Sequence, residues 1–82
     1  MAFGIVWDEA AVCGAVRHIA DDPRGLRLLL YGVDHLAAQP RPPGAALHGR
    51  GLRRIHIGRY RVLYVITADP VTVVIKHVGR LG

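Results

Sequence analysis

The stretch RRIHIGRYRVLY, residues 53–64, alternates charged residues with residues typical of a β-strand. Side chains along a strand point alternately to the two faces of a sheet. Ile55 and Ile57 therefore share one face, whereas Arg54 and His56 share the other. The glycine–arginine pair that follows is a candidate turn, and strand-forming residues resume after it. The stretch thus predicts a β-hairpin with one apolar face and one basic face.

The second strand of this hairpin, residues 60–67, carries apolar residues in both of its alternating sets. We assign Arg61 to the open, basic face, because burying an unpaired arginine under another layer costs several kcal/mol. The alternating set that starts at Tyr60 is then expected to pack against the rest of the protein. A further strand is predicted at residues 71–78, after a second turn, so that the three strands form an antiparallel meander.

One strand and two helices are predicted upstream of the meander. Residues 3–7 are short, apolar and partly β-branched, as in a strand. Apolar residues recur at helical spacing from residue 9 to about residue 20, and again after Asp22, which can cap a second helix. The proline-rich residues 39–44 form a stiff loop, and residues 45–51 are expected to be irregular. The predicted fold is α+β with the order β-α-α-β-β-β, a helical hairpin packed on one face of an antiparallel sheet.

The composition points to one small domain. The chain has 82 residues, of which 51% are hydrophobic, enough to form a core. No apolar run approaches the roughly 20 residues of a membrane span, and the first residues, MAFGIVWDEAA, lack the basic region of a signal peptide. Cys13 has no second cysteine with which to form an internal disulfide. We therefore expect a single cytoplasmic domain spanning residues 1–82, without a membrane partner.

Positive charge is concentrated in one segment. The net charge is +5, yet residues 35–68 carry six arginines and no acid, whereas residues 1–34 carry three arginines and five acids. A localised basic patch indicates a polyanion or an acidic partner. The predicted open face gathers Arg54, His56 and Arg61, joined by Arg80 or His77.

This set of residue types suits RNA. Arginine donates paired hydrogen bonds that match a phosphate, and histidine exchanges a proton near neutral pH. The combination also suits cutting RNA, since a base can deprotonate the 2′-hydroxyl while arginines stabilise charge on phosphorus. The alternative for His56 is a surface histidine without a role. No group of histidine, cysteine and carboxylate residues has metal-ligand spacing, and there is no glycine-rich phosphate loop, so no metal or other cofactor is expected.

The sequence resembles the RelE/ParE superfamily of toxins from bacterial type II toxin–antitoxin systems. The resemblance is carried by LHGRGLRRIHIGRYRVLYVI, residues 47–66, and VTVVIKHVGR, residues 71–80. These segments match a Leu-x-Gly motif before the meander, a Gly-x-Tyr-Arg-Val-x-Tyr signature, and a last strand that ends in Val-Gly and a basic residue. With the upstream strand and helices, the resemblance covers nearly the whole chain and implies the same α+β fold.

The resemblance implies a toxin that a cognate antitoxin protein neutralises, with DNA contacted only indirectly through the toxin–antitoxin complex. In the RelE-like branch, which we favour, it implies a metal-independent endoribonuclease that cuts mRNA on the ribosome and so inhibits translation. Carried over position by position, the implied catalytic residues are Arg54, His56, Arg61 and Arg80. RNA-binding charge around them is expected from Arg50, Arg53, Arg59, Lys76 and His77.

The chain departs from the pattern of the family after Val-Gly. Many relatives continue with His-Arg and a tail that ends in a tyrosine, where this sequence reads Gly79-Arg80-Leu81-Gly82. Three functions therefore stay open. The first is a nuclease that uses His56 or His77 in place of the missing tail residues. The second is a ParE-like inhibitor of DNA gyrase without nuclease activity, and the third is a weakened toxin that mainly binds its antitoxin.

Overall fold

Two helices and five strands make up the fold, which a computed structural model describes for residues 4–68 and 71–81. The elements are β1 (Gly4–Trp7), α1 (Glu9–Val16), α2 (Pro23–Ala38), β2 (Ala46–Gly49), β3 (Leu52–Ile57), β4 (Tyr60–Thr67) and β5 (Thr72–Arg80). The strands form one sheet in the order β1-β5-β4-β3-β2. The predicted α+β fold, with its helices against a meander, is confirmed. Phe3 of the predicted first strand and Asp69 and Pro70 of the predicted second turn lie outside the described residues.

The sheet differs from the prediction at both of its edges. β1 pairs with β5 in parallel, so the sheet is mixed and not wholly antiparallel. At the other edge, residues 45–51 were predicted to be irregular, but they contain β2, which pairs antiparallel with β3. Gly49, the last residue of β2, and the turn residues Arg50 and Gly51 all have positive φ angles. Two glycines allow this tight connection, because glycine adopts positive φ without a steric cost.

The first helix is shorter than predicted. α1 ends at Val16, and residues 17–21 form turns in which the amides of His18 and Ile19 bond the carbonyls three residues before them. These tighter bonds end the α-helical pattern that was expected to reach about residue 20. α2 begins as predicted, with the Asp22 carboxylate accepting a hydrogen bond from the Gly25 amide at 3.1 Å. Across residues 4–68 and 71–81, neither helix has the length and apolar content needed to cross a membrane.

The core lies between the helices and one face of the sheet. Its buried residues are Ala11 and Ala15 of α1, Leu29, Val33 and Leu36 of α2, Tyr60, Val62 and Tyr64 of β4, and Val73, Ile75 and Val78 of β5. Both buried tyrosines satisfy their hydroxyl groups. The Tyr60 hydroxyl donates to Asp22 at 2.8 Å, and the Tyr64 hydroxyl donates to the Pro40 carbonyl at 2.7 Å. The inward orientation predicted for the set that starts at Tyr60 is therefore confirmed.

A β-bulge at Lys76 resets the alternation of side chains in β5. Leu63 of β4 pairs with His77 and the next residue of β4 pairs with Ile75, so no residue of β4 lies opposite Lys76. The Lys76 ammonium instead binds the carboxylate of Asp8 at 2.6 Å. Beyond the bulge, Val78 turns into the core and is only 2% exposed. An extra residue in one strand has this effect because the side-chain period of the strand is two.

Candidate nucleic-acid interface

The open face of the sheet, opposite the helices, carries basic residues from β3 and β4. Ile55 pairs with the buried Val62, so Arg54 and His56, its neighbours along β3, project from the other face. His56 pairs directly with Arg61 on β4. Directly opposed residues share a face, and their Cβ atoms lie roughly 4.5–5.5 Å apart. The structure thus brings these three residues together on the face where the alternation placed them, while their roles remain predictions.

Arg61 offers an unused hydrogen-bond donor on this face. The residue is partly exposed, but its Nε atom is buried and has no hydrogen-bond partner among the described residues. A buried donor without a partner costs free energy, so native structures rarely keep one without a reason. A phosphate cannot reach the buried Nε, but the partly exposed side chain places the positive charge of Arg61 on this face, where it attracts a phosphate.

Arg80 does not lie with the other residues predicted to be catalytic. It pairs with Tyr60, whose side chain is buried on the helical side of the sheet, and its guanidinium binds the carboxylate of Asp21 at 2.7 Å. The expectation that Arg80 joins the open face is therefore wrong. The physical reason is the bulge at Lys76, which shifts all later residues of β5 by one position relative to a regular strand.

The carboxylates that bind Arg80 of β5 and Tyr60 of β4 predict a loss of stability in acid. The hydrogen bond from Arg80 lowers the pKa of Asp21, and the hydrogen bond from the Tyr60 hydroxyl lowers the pKa of Asp22. A carboxyl group whose pKa is lowered by folding stabilises the protein fully above its ordinary pKa of about 3.9. That stabilisation is lost as the pH falls through the lower value of the folded state.

We expect Asp21→Asn to weaken this acid dependence. The urea midpoint of the wild-type protein should fall between about pH 5 and about pH 2, and the variant should lose less over the same interval, because one of the carboxylates is absent. Arg80→Met removes the other partner of the same contact and should behave alike. Unchanged acid dependence in both variants would contradict a role for the Asp21–Arg80 contact.

Several of the residues predicted to add RNA-binding charge lie away from the open face. Arg53 pairs with the buried Tyr64, and so belongs to the helical side. Burial raises the pKa of Tyr64, a rise that the nearby positive charge of Arg53 opposes. Lys76 is held by Asp8. Arg59 lies in the turn after β3, where its positive charge contributes to the lowered pKa of Asp22.

The remaining two predicted RNA-binding residues are exposed, at opposite ends of the meander. Arg50 is exposed in the turn before β3, and His77 of β5 pairs with Leu63 on the open face. Regular alternation would have placed His77 in the core with Ile75, so it reaches the open face only because of the bulge. Within the described ranges, no three histidine, cysteine or acidic side chains gather as a metal site.

An apolar area that sequence reasoning missed adjoins the basic residues. Val6 of β1 pairs with Val74 of β5, which in turn pairs with Val65 of β4. All three project from the open face, and Val6 is 51% exposed. The signal was present in β4, whose two alternating sets both contain apolar residues, as expected for a strand that is covered on both faces. The open face therefore combines cations with an apolar strip, as surfaces that bind other proteins do.

The fold is shared with known toxins. The structure has a TM-score of 0.81 to the RelBE2 toxin–antitoxin complex from Mycobacterium tuberculosis, at 23% identity over 98% of this chain and 99% of that one. The RelE–RelB complex from Pyrococcus horikoshii gives 0.80 at 22% identity, covering 100% and 98% of the two chains. The ParDE system from P. aeruginosa gives 0.76 at 10% identity, covering 99% and 98%. At these identities the likeness shows the fold alone, and it includes both RelE and ParE proteins.

The sequence itself matches one family. No curated protein is similar enough in sequence to match the chain. The model of the ParE toxin of type II toxin–antitoxin systems, parDE, matches residues 10–80, which is most of the chain. The protein therefore belongs to the ParE toxin family of type II toxin–antitoxin systems.

Proposed function

We propose that this toxin is a ribosome-dependent, metal-independent mRNA endoribonuclease of the RelE type. The proposal is supported by the direct pairing of His56 with Arg61 on the open face, where the side chain of Arg61 is partly exposed. A phosphodiester at Arg61 gains a charge-assisted hydrogen bond there. His56, one strand away, is close enough to exchange a proton with the ribose at that phosphate.

The chemistry needs only the RNA and these side chains. The ribose 2′-hydroxyl is the nucleophile, and it becomes reactive when a base removes its proton. Negative charge then increases on the phosphate oxygens, where Arg61 stabilises it. Arg54 lies on the same face of β3 as His56, and it adds a second guanidinium for the neighbouring RNA backbone.

We also propose that a cognate antitoxin binds the open face and blocks it. The strip formed by Val6, Val74 and Val65 suits apolar side chains of a protein partner, and the adjoining cations suit acidic ones. A chain bound there would cover Arg61 and exclude RNA. DNA would be contacted only through such a complex.

Mapping of mRNA 5′ ends tests the nuclease function. Expression of the toxin alone in bacteria is expected to arrest growth and to produce new 5′ ends within codons that occupy ribosomes. Co-expression of a small acidic protein encoded beside the toxin gene should abolish both effects. Growth arrest without new 5′ ends would contradict the nuclease proposal.

Gyrase inhibition of the ParE type is a second candidate function. The match to the ParE family model favours it, and so does Arg80, which the RelE-like resemblance makes catalytic but which binds Asp21 on the other face. The purified toxin would then block supercoiling by DNA gyrase in vitro and would leave mRNA 5′ ends unchanged. A toxin that leaves gyrase fully active excludes this candidate.

A further inference from the structure

The ring of His77 leans over Gly79, the residue of β5 that pairs with Arg61. Arg61 pairs with Gly79, two residues beyond His77 on β5. A Cβ atom on Gly79 would lie 3.2 Å from Cε1 of His77 and 4.0 Å from its Nδ1. The imidazole therefore leans along the strand and lies over Gly79. Because Gly79 has no side chain, the ring occupies the space directly across from Arg61.

Three side chains thus form a row across three strands of the open face. We call it the His–Arg–His row: the ring of His77 over Gly79 on β5, Arg61 on β4, and His56 on β3. Neighbouring strands lie about 4.8 Å apart, so the strands that carry the two histidines are separated by about 10 Å. A phosphate held by Arg61 can be approached by one imidazole from each side.

Two proton-transfer groups are what metal-free cleavage of RNA requires. The attacking 2′-oxygen must lose a proton, and the departing 5′-oxygen must gain one, on opposite sides of the phosphorus. A single histidine beside Arg61 supplies only one of these transfers. The second histidine of the row lies on the opposite side of Arg61 from the first.

We propose that His56 and His77 are the general base and the general acid of RNA cleavage at Arg61, a mechanism that rests on the nuclease function proposed above. His56 starts neutral and takes the proton of the 2′-hydroxyl while the 2′-oxygen bonds to phosphorus. The bond from phosphorus to the 5′-oxygen breaks, and His77, which starts protonated, gives its proton to that oxygen. The products are a 2′,3′-cyclic phosphate and a 5′-hydroxyl, with His56 protonated and His77 neutral.

The surroundings of the row favour a polyanion. His56 lies between Arg54 on its own strand and Arg61 across from it. His77 borders a groove of about 610 Å³ between α1 and β5, whose titratable and charged lining also includes Cys13, Arg17, His18 and Arg80. Lys76, the adjacent residue, is paired with Asp8. Arg80 is likewise paired with Asp21, so the charge that raises the local concentration of RNA comes from Arg54 and Arg61 beside His56 and from Arg17 in the groove beside His77.

An RNA with a sulfur leaving group tests the acid role of His77. A ribosome-bound mRNA carries, at the mapped cleavage site, either the normal 5′-oxygen or a 5′-bridging sulfur, which departs without needing a proton. On the oxygen-linked RNA, His77→Ala is expected to lose about 100-fold or more in single-turnover rate. On the sulfur-linked RNA, the same variant should come within about tenfold of the wild-type rate, since the missing acid is no longer needed.

Two comparisons accompany this measurement. His56→Ala removes the base and should lose a similar factor on both RNAs. His48→Ala, at an exposed position of β2, removes a histidine away from the row and should keep the wild-type rate on both. His77→Asn preserves a polar side chain of similar shape but cannot donate a proton as an acid, so it should reproduce His77→Ala. Circular dichroism spectra like those of the wild type establish that each variant is folded.

Each outcome tests either the acid role of His77 or the nuclease function on which it rests. A His77→Ala variant that cuts the oxygen-linked RNA at the wild-type rate overturns the acid role and leaves the nuclease function intact. Equal losses on both RNAs for a folded His77 variant also overturn it. So does the opposite pattern, in which the sulfur-linked RNA restores the cleavage rate of His56→Ala but not that of His77→Ala. If the wild-type toxin cuts neither RNA, the nuclease function fails, and the acid–base pair fails with it.

Discussion

Arg61→Ala is expected to reduce the rate of mRNA cleavage by about 10²- to 10³-fold. The loss follows from the removal of the cation between the two histidines of the His–Arg–His row, where charge develops on the phosphate. The free energy of unfolding should change little, because the Nε of Arg61 has no hydrogen bond to lose within the described chain. Single-turnover cleavage of ribosome-bound mRNA and urea unfolding measure the two effects separately. Arg61→Lys should retain part of the rate, since lysine keeps the charge without the planar pair of donors.

Arg27 provides a control that distinguishes the effect of the position of Arg61 on the cleavage rate from the effect of losing one positive charge. Arg27 is exposed on α2, on the other side of the sheet, so Arg27→Ala removes the same charge far from the row. We expect Arg27→Ala to cleave at a rate close to that of the wild type. An equal loss in both variants would mean that overall charge, and not the open face, governs the rate. Full activity in Arg61→Ala would refute the catalytic assignment of this arginine.

Gly14→Ala is expected to destabilise the fold by about 3 kcal/mol. Gly14 brings α1 so close to β5 that a Cβ atom there would overlap the backbone carbonyl oxygen of Val78. That oxygen belongs to the strand itself, and no side-chain rotation can relieve the overlap. Alanine gains about 1 kcal/mol over glycine in a helix, which is too little to offset the displacement of the helix. Urea unfolding at neutral pH measures the difference.

Gly32→Ala is the matched control for this prediction. Gly32 also lies within a helix, so alanine brings the same gain in helix propensity. Its added Cβ would meet the side chain of Ile57, with the nearest atoms at 2.8 Å. The contacted atoms include the branch atoms of Ile57, so its side chain must shift, but a side chain yields more easily than a strand carbonyl, and we expect a smaller loss than for Gly14→Ala, about 1–2 kcal/mol. Equal stability of the two variants would argue against close packing of α1 on β5.

The faces of β3 and β4 could be predicted because their pairing is regular. Five consecutive residue pairs join the two strands without a shift in register, so simple alternation assigns each side chain to its face. The burial cost of an unpaired arginine then resolves the one ambiguous strand. Alternation and burial cost together therefore suffice to place Arg54, His56 and Arg61 on one face.

The faces at the end of β5 could not be predicted by the same rule. Alternation assumes one residue per position, and the bulge at Lys76 breaks that assumption, so Arg80 was assigned to the wrong face. A signal was nevertheless present, because Ile75 and Val78 are both strongly apolar and three residues apart, and a regular strand cannot bury both on one face.

β2 was missed for another reason. It is short and exposed throughout, and it carries no hydrophobic alternation.

The extra residue in β5 also determines how the sequences of related proteins should be aligned at the end of the sheet. Two residues intervene between the core positions Ile75 and Val78, an even number that only a bulged strand permits. A relative with a single intervening residue needs no bulge, and its residue before Val-Gly faces the same side as His77. Residues of this region therefore correspond when they are counted backward from Val-Gly. If residues are instead counted forward from the start of β5, the count includes the extra residue, and every later side chain is assigned to the wrong face of the sheet.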